Sequence, residues 1–125
     1  AYVSNESKPP QVYVRPFPNA AAARWQVSQA GGSEPVWSHS ARELFYRNAA
    51  GDLVAATIAP GPSFRIVSER ALFSVRAYMV DPLSHAYAVS PDDRSFLFTR
   101  IPPSTGSPLV VVLNWFQELK AKVGK

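Results

Sequence analysis

Apolar and polar residues alternate along most of the chain with the period of two that is typical of half-buried β-strands. The clearest case is the run from Gln11 to Phe17, in which Val12 and Val14 lie on one side while Tyr13 and Arg15 lie on the other. Further strand-like segments, each bounded by turn residues, are 24–29, 34–38, 42–48, 52–59 and 64–73. The pattern therefore predicts an all-β fold of short antiparallel strands.

The C-terminal part of the chain has a different period. Residues 107–113 form an apolar, strand-like run, and the apolar spacing then becomes helical from Asn114 onward. Asn114 can cap the N-terminus of a helix, and Gln117 completes a pair that resembles a capping box. The sequence therefore predicts a short C-terminal helix over residues 114–123.

This predicted helix supplies the candidate interface residues of the chain. Phe116 and Leu119 fall on its inward face, whereas Trp115 points elsewhere and is available for a partner. We interpret Trp115, Phe116 and Leu119 together as a possible interface.

One segment recurs along the chain. Residues 38–46 align with residues 90–98 without a gap, at an offset of 52 positions. In both copies a strand ends at serine, a four-residue turn follows, and arginine leads into three bulky residues. A truncated third copy opens the chain, with residues 1–2 matching residues 45–46. Repeats of about 40–50 residues with about four short strands each are typical of β-propeller blades.

The strands group into partial and complete blades. Residues 1–29 would supply the last three strands of one blade, residues 34–73 a complete blade, and residues 86–113 the first three strands of another. Closed propellers have about four to eight blades, so this array would leave strand edges exposed. We therefore expect self-association, most simply as a two-fold dimer through those edges. The alternative is a compact β-sandwich or barrel made of the same strands.

Composition limits the fold further. The 125 residues, 46% of them hydrophobic and 18% charged, fit one globular domain rather than a disordered chain. Twelve prolines against six glycines disfavour a helical bundle, because proline inside a helix removes a hydrogen bond. The absence of cysteine excludes a disulfide scaffold and zinc sites built on thiolates.

The charge of the chain does not point to nucleic acid. The formal net charge is +4, but the basic residues are scattered, and only Lys120, Lys122 and Lys125 form a cluster. Because no stretch alternates basic residues with stacking aromatics, we do not expect nucleic-acid binding. No apolar run reaches the ~18 residues of a bilayer span, and residues 1–10 lack a signal-peptide pattern. We therefore expect neither a membrane segment nor a signal peptide in this chain.

The residues offer no catalytic constellation. His39 and His85 are the only histidines, and no G-x-S-x-G motif marks a serine nucleophile. Asp92 and Asp93 have too few neighbouring oxygen ligands for a good calcium site, so we interpret them as turn-stabilising carboxylates. The sequence therefore favours a non-enzymatic protein without a metal or cofactor.

Two arginines occupy equivalent positions of the repeat. Arg42 and Arg94 each follow the four-residue turn and precede the bulky strand residues. We interpret both as partners in local ion pairs rather than as ligand-reading groups.

The order of these segments resembles a known family. The segments QVYVRPFP, RWQVSQAGGSEPVWS, ARELFYRN, GPSFR, YAVSPDDRSFLF and VVVLNWFQELK are similar to the C-terminal end of TolB-like, PD-repeat β-propellers. The likeness is greatest to the region that follows the kinase domain in some bacterial serine/threonine protein kinases. SPDDR at 90–94 matches the family's SPDGR turn except at Asp93, whereas 38–42 has lost both the proline and the aspartate. LNWFQELK at 113–120 is the most specific element.

The resemblance implies a function as well as a fold. It implies a non-catalytic propeller-type interaction or sensor module that binds a protein or peptide partner, in an extracytoplasmic setting. The alternative is recognition of a small ligand, such as a sugar or peptidoglycan fragment, in a cleft between blades.

Overall fold

The computed structural model describes residues 1–81 and 84–100, and these residues form three separate antiparallel sheets. The first sheet is β1 (Tyr2–Ser4), β2 (Gln11–Val14) and β3 (Trp25–Gln26); the middle sheet is β4 (Gly32–Trp37), β5 (Glu43–Asn48), β6 (Asp52–Ile58) and β7 (Ile66–Ser74); the third sheet is β8 (Tyr87–Val89) and β9 (Phe96–Phe98). Strands are paired in chain order, and none of the three sheets closes on itself. The all-β prediction is confirmed, whereas the arrangement of the sheets as propeller blades stays a prediction.

Several sequence-based expectations fall on the remaining residues. The predicted strand over 107–113 and the predicted helix over 114–123 lie outside the described residues, as do the candidate interface residues Trp115, Phe116 and Leu119.

The middle sheet is covered on both faces. Leu44 and Tyr46 of β5 pack with the first sheet, while the intervening Phe45 packs with the third sheet. On β6, Val54 points toward the first sheet and Leu53 toward the third. Strands buried on both faces carry nearly continuous apolar runs. This explains why apolar residues do not alternate with polar ones at the centres of β5 and β6.

Two hydrophobic clusters join the three layers. The first unites Val12, Val14 and Val27 with one face of the middle sheet, and the rings of Trp25 and Phe64 pack at its margin. The second unites the opposite face with Val75, Tyr87 and the third sheet's Val89, Phe96 and Phe98. The middle sheet therefore lies between the other two.

The repeat found in the sequence is also a repeat of backbone geometry. In the first copy Ala41 N donates to the Ser38 carbonyl at 3.0 Å, and Glu43 N donates to Ser38 Oγ at 3.0 Å. The equivalent bonds of the second copy are Asp93 N to the Ser90 carbonyl and Ser95 N to Ser90 Oγ, both 2.9 Å. The two turns are therefore built alike.

The strands that flank the two turns also pair in the same register. The pairs Val36–Phe45 and Trp37–Leu44 recur 52 positions later as Ala88–Leu97 and Val89–Phe96. Ala41 and Asp93 have φ angles of 56° and 59°, in the left-handed region that glycine adopts most easily. Aspartate tolerates this region better than most residues, which explains how Asp93 fits at a position with a positive φ.

Two predicted boundaries in the N-terminal part are wrong. The strand predicted over 24–29 is limited to Trp25–Gln26, because the hydroxyl of Ser28 accepts the Val12 amide at 2.8 Å and so replaces a backbone partner. The strand predicted over 34–38 begins two residues earlier, at Gly32.

Candidate binding cleft

A cleft of about 660 Å³ lies where the first sheet, the middle sheet and the segment leading into β8 meet. Its lining residues are Ala1, Tyr2, Val3, Asn5, Pro10, Ser33, Glu34, Pro35, Val80, Asp81, Ser84 and His85. The volume lies within the range of about 300–1,000 Å³ that is typical of ligand sites. Nothing in the residue spacing predicted this cleft, because its walls come from three separate stretches of the chain.

The cleft lies between two edge strands. β1 and β4 each pair with a single neighbour, so in the described ranges one edge of each strand has no strand partner. Gly32 N donates to the Pro10 carbonyl at 2.9 Å and so ties the two sheets together beside the cleft. Pro35 has no amide hydrogen and is therefore suited to an edge strand.

A buried ion pair lies at the base of the cleft. Arg47 Nε contacts Glu34 Oε2, and both side chains are almost fully buried, with exposed fractions of 4% and 2%. The second carboxylate oxygen of Glu34 accepts the Ala86 amide at 2.7 Å. A buried charge is tolerated only when it is paired and hydrogen-bonded, and these contacts meet that requirement.

The same ion pair holds the wall that carries Val80 and His85. The guanidinium of Arg47 donates to the carbonyls of Val75 at 3.3 Å and Tyr78 at 3.4 Å, and also to that of Met79. The planar fork of arginine suits such multiple acceptors. Arg47 therefore positions residues 75–79 against the middle sheet.

Tyr87 lies behind the cleft wall and bonds to the backbone of Glu34. Its hydroxyl donates to the Glu34 carbonyl at 2.9 Å, within the same buried cluster. Burial raises the pKa of Tyr87 far above its usual value, and the negative charge of Glu34 raises it further. Tyr87 therefore remains a neutral donor at all ordinary pH values.

The polar groups of the cleft wall are held by hydrogen bonds within the protein. Nε2 of His85 lies 3.0 Å from the Pro35 carbonyl, which can only accept, so this contact assigns the proton to Nε2. The hydroxyl of Ser84 donates to an oxygen of Asp81 at 2.5 Å. Ser84 is thus bonded to a carboxylate and not to the imidazole, which is not the nucleophile-and-base arrangement of a serine hydrolase.

The two histidines lie at different sites. His85 lines the cleft, whereas His39 lies in the first repeated turn, where its Nδ1 is 3.2 Å from Asp93 Oδ1. Among residues 1–81 and 84–100, no group of three or more His, Cys, Asp or Glu side chains is placed to hold a metal ion.

Asp92 stabilises its own turn, which confirms the role predicted for it. Its carboxylate accepts the Ser90 hydroxyl at 2.6 Å and the Arg94 amide at 3.1 Å. These hydrogen bonds lower the pKa of Asp92, with the Ser90 hydroxyl as the largest cause.

Asp93 contacts more than its own turn, whereas only a local role was predicted for it. Its two carboxylate oxygens accept the amides of His39 at 2.7 Å and Ser40 at 3.0 Å, so it joins the second repeated turn to the first. Partial desolvation raises the pKa of Asp93, but the hydrogen bonds from these amides and side chains outweigh it and lower the pKa to about 2. The residue spacing alone did not indicate this bond between the two copies.

The prediction of local ion pairs for Arg42 and Arg94 is wrong for the part of the chain that the structure describes. Both side chains are exposed, and neither joins a carboxylate there.

The chain matches no protein-family model, no curated protein and no solved structure. Within the described ranges no helix has the length and apolar character required to cross a bilayer.

Proposed function

We propose that this chain is a non-catalytic binding module that takes an extended peptide segment of a partner protein into the cleft between β1 and β4. The observation that carries the proposal is the position of the cleft between two strand edges without strand partners among the described residues. The edge of β1 offers backbone donors and acceptors to which a peptide adds as a further strand, whereas on β4 the Glu34 and Pro35 carbonyls already accept from Tyr87 and His85.

The side chains of the cleft support the same occupant. Val3 and Val80 are exposed apolar residues on its walls, and Pro10 and Pro35 add rigid apolar surface. An added strand places alternate side chains into such surfaces, which supplies specificity beyond the backbone hydrogen bonds. The polar groups beneath are already paired, so the cleft has no evident catalytic group.

We further propose that the three sheets are consecutive blades of a propeller and that the cleft belongs to its central channel. The proposal extends the resemblance inferred from the sequence. Two observations support it: the face-to-face packing of the sheets and the repeated register of β4–β5 in β8–β9.

The test selects linear peptides from a random library against the chain and measures their affinity by calorimetry. Val80→Asp adds a charge to the cleft wall, and we expect it to weaken peptide binding at least tenfold. Leu97→Asp is the matched control, because Leu97 on β9 is also exposed, at 75% against 58% for Val80, and does not line the cleft. Equal affinities for the two variants, or no enriched peptide, would contradict the proposal.

A small-ligand function is the second candidate. Asn5, Ser84 and His85 place polar side chains along one cleft, as a sugar or peptidoglycan fragment would require. A thermal-shift panel of sugars, peptidoglycan fragments and the selected peptides separates the two functions. The second candidate is favoured if a sugar raises the melting temperature, if Val80→Asp abolishes that shift, and if the peptides cause none.

We also propose that the chain self-associates through exposed sheet edges. β7 is the longest strand in the described residues, with nine residues that are mostly exposed, and its outer edge has no strand partner there. A two-fold pairing of β7 edges would extend the middle sheet across two copies. Sedimentation velocity over a concentration series should show a dimer, and a monomer at every concentration would contradict this.

A further inference from the structure

Four connections emerge at one end of the stacked sheets, which we call the loop end: residues 15–24, 38–42, 59–65 and 90–95. The pair Val14–Trp25 closes the first connection. The ring of Phe64 lies 5.3 Å from that of Trp25 and 6.5 Å from that of Trp37, which brings three connections together. The hydrogen bonds from Asp93 to the first repeated turn add the fourth.

The first of these connections is an exposed apolar loop. Residues 16–23 read PFPNAAAA, eight consecutive residues without a charge. Phe17 is 97% exposed, and the alanines that follow it are exposed or half-buried. Ala20 N donates to the Pro18 carbonyl at 3.1 Å, so the loop is folded back on itself rather than extended. Exposed apolar surface that is contiguous, as along this uncharged loop, is typical of sites that contact a protein or a membrane.

Unpaired positive charge surrounds this loop. Four exposed arginines of the loop end form no ion pair within the described residues: Arg15, Arg42, Arg65 and Arg94. The acidic groups nearby are already engaged, Asp92 and Asp93 by turn hydrogen bonds and Glu43 by Arg70. Arg15 donates to the Tyr2 hydroxyl at 2.9 Å, but it has no carboxylate partner there either. The loop end therefore combines an apolar tip with arginines whose charge no described carboxylate neutralises.

We propose that the loop end adsorbs to an anionic lipid bilayer, with Phe17 and its neighbouring prolines in the boundary between headgroups and acyl chains. Aromatic side chains favour this boundary, and arginines near it are attracted by anionic headgroups. Nucleic acid fits the surface less well. Phe17 offers one exposed ring, but Trp25 and Trp37 pack on Phe64 and so add no platform for successive bases.

The experiment is co-sedimentation with vesicles of phosphatidylcholine alone or mixed with phosphatidylglycerol, at low and high salt. We expect binding to the mixed vesicles only, and weaker binding at high salt. Phe17→Ser should reduce vesicle binding about tenfold, because it removes the apolar ring that enters the bilayer. The variant should still fold, since a nearly fully exposed side chain contributes little to folding. The double variant with Arg65→Gln and Arg94→Gln should lose most of the vesicle binding that depends on salt concentration.

The matched control is Val80→Ser, which removes an apolar side chain that is 58% exposed and lies in the cleft. It should bind vesicles as the unchanged protein does. The proposal is overturned if neither vesicle sediments the protein, or if Phe17→Ser binds as well as the unchanged chain. A different result would assign the basic surface to nucleic acid. In that case the protein does not bind vesicles, and both the unchanged chain and Phe17→Ser shift a single-stranded oligonucleotide in a gel. The peptide cleft is unaffected by either result, because Phe17 does not line it.

Discussion

The two copies of the repeated unit, residues 38–46 and 90–98, have the same turn, the same hydrogen bonds and the same strand register. Their surroundings differ. Phe45 is 1% exposed because the third sheet covers it, whereas Leu97 at the equivalent position is 75% exposed. Backbone geometry is therefore set by the local sequence of the unit, while burial is set by the sheet that packs next to it.

The largest expected effect concerns this equivalent pair. Phe45→Ala should lower the free energy of unfolding by about 3–5 kcal/mol, because it leaves a cavity between the middle and third sheets. Leu97→Ala should change it by less than about 0.5 kcal/mol, since the side chain is mostly in solvent. Urea denaturation of both variants measures the difference. Similar losses at the two positions would mean that burial does not distinguish the copies.

The next effect concerns the ion pair that holds the segment leading into β8 against the middle sheet. Glu34→Gln should cost about 3 kcal/mol, because it leaves the buried guanidinium of Arg47 without a counter-charge. Glu43→Gln is the control, since its ion pair with Arg70 lies at the surface and should be worth less than about 1 kcal/mol. Equal denaturation midpoints for the two variants would contradict the role given to the buried pair.

A smaller effect should depend on pH. The pKa of Asp93 is lowered to about 2 from its ordinary value of 3.8, so its carboxylate stabilises the folded state above the higher value. That stabilisation is lost as the pH falls from about 4 to about 2. Asp93→Asn should therefore melt at a lower temperature than the unchanged chain at pH 7, and the two should converge in acid. A difference in melting temperature that stays constant with pH would exclude the ionised Asp93 carboxylate as the cause.

The smallest expected effect separates the two left-handed residues. Ala41→Gly should stabilise the protein by about 0.5 kcal/mol, because glycine relieves the strain of a positive φ at some cost in unfolded-state entropy. Asp93→Gly should destabilise it, since the bonds to His39 and Ser40 are lost. Thermal unfolding of the two variants should therefore give shifts of opposite sign, and shifts of the same sign would contradict the contrast.

The strands and the repeat could be predicted because they depend on neighbouring residues. Alternation over Gln11–Val14 and the serine that begins each repeated turn act within a few positions, so their pattern is visible in the sequence. The strand at Trp25–Gln26 is shorter than predicted, because the Ser28 hydroxyl accepts the Val12 amide in place of a backbone carbonyl.

The site could not be predicted in the same way. Charged residues are rarely buried, so nothing in the sequence marked Glu34 and Arg47 as an internal pair. The cleft depends on three stretches that meet only after the sheets have stacked, and the bond from Asp93 to the first repeated turn spans more than fifty positions. Such features depend on packing between sheets, which local patterns do not encode.

The central claim is that the two units share their backbone geometry and differ in burial through the sheet that covers them. Hydrogen exchange of the native protein tests this claim most directly. Peptides covering residues 43–48 and 95–100 contain the equivalent strands β5 and β9. We expect amides of 43–48 to exchange only on global unfolding, and those of 95–100 to exchange far faster through local opening. Equal protection of the two segments would contradict the claim.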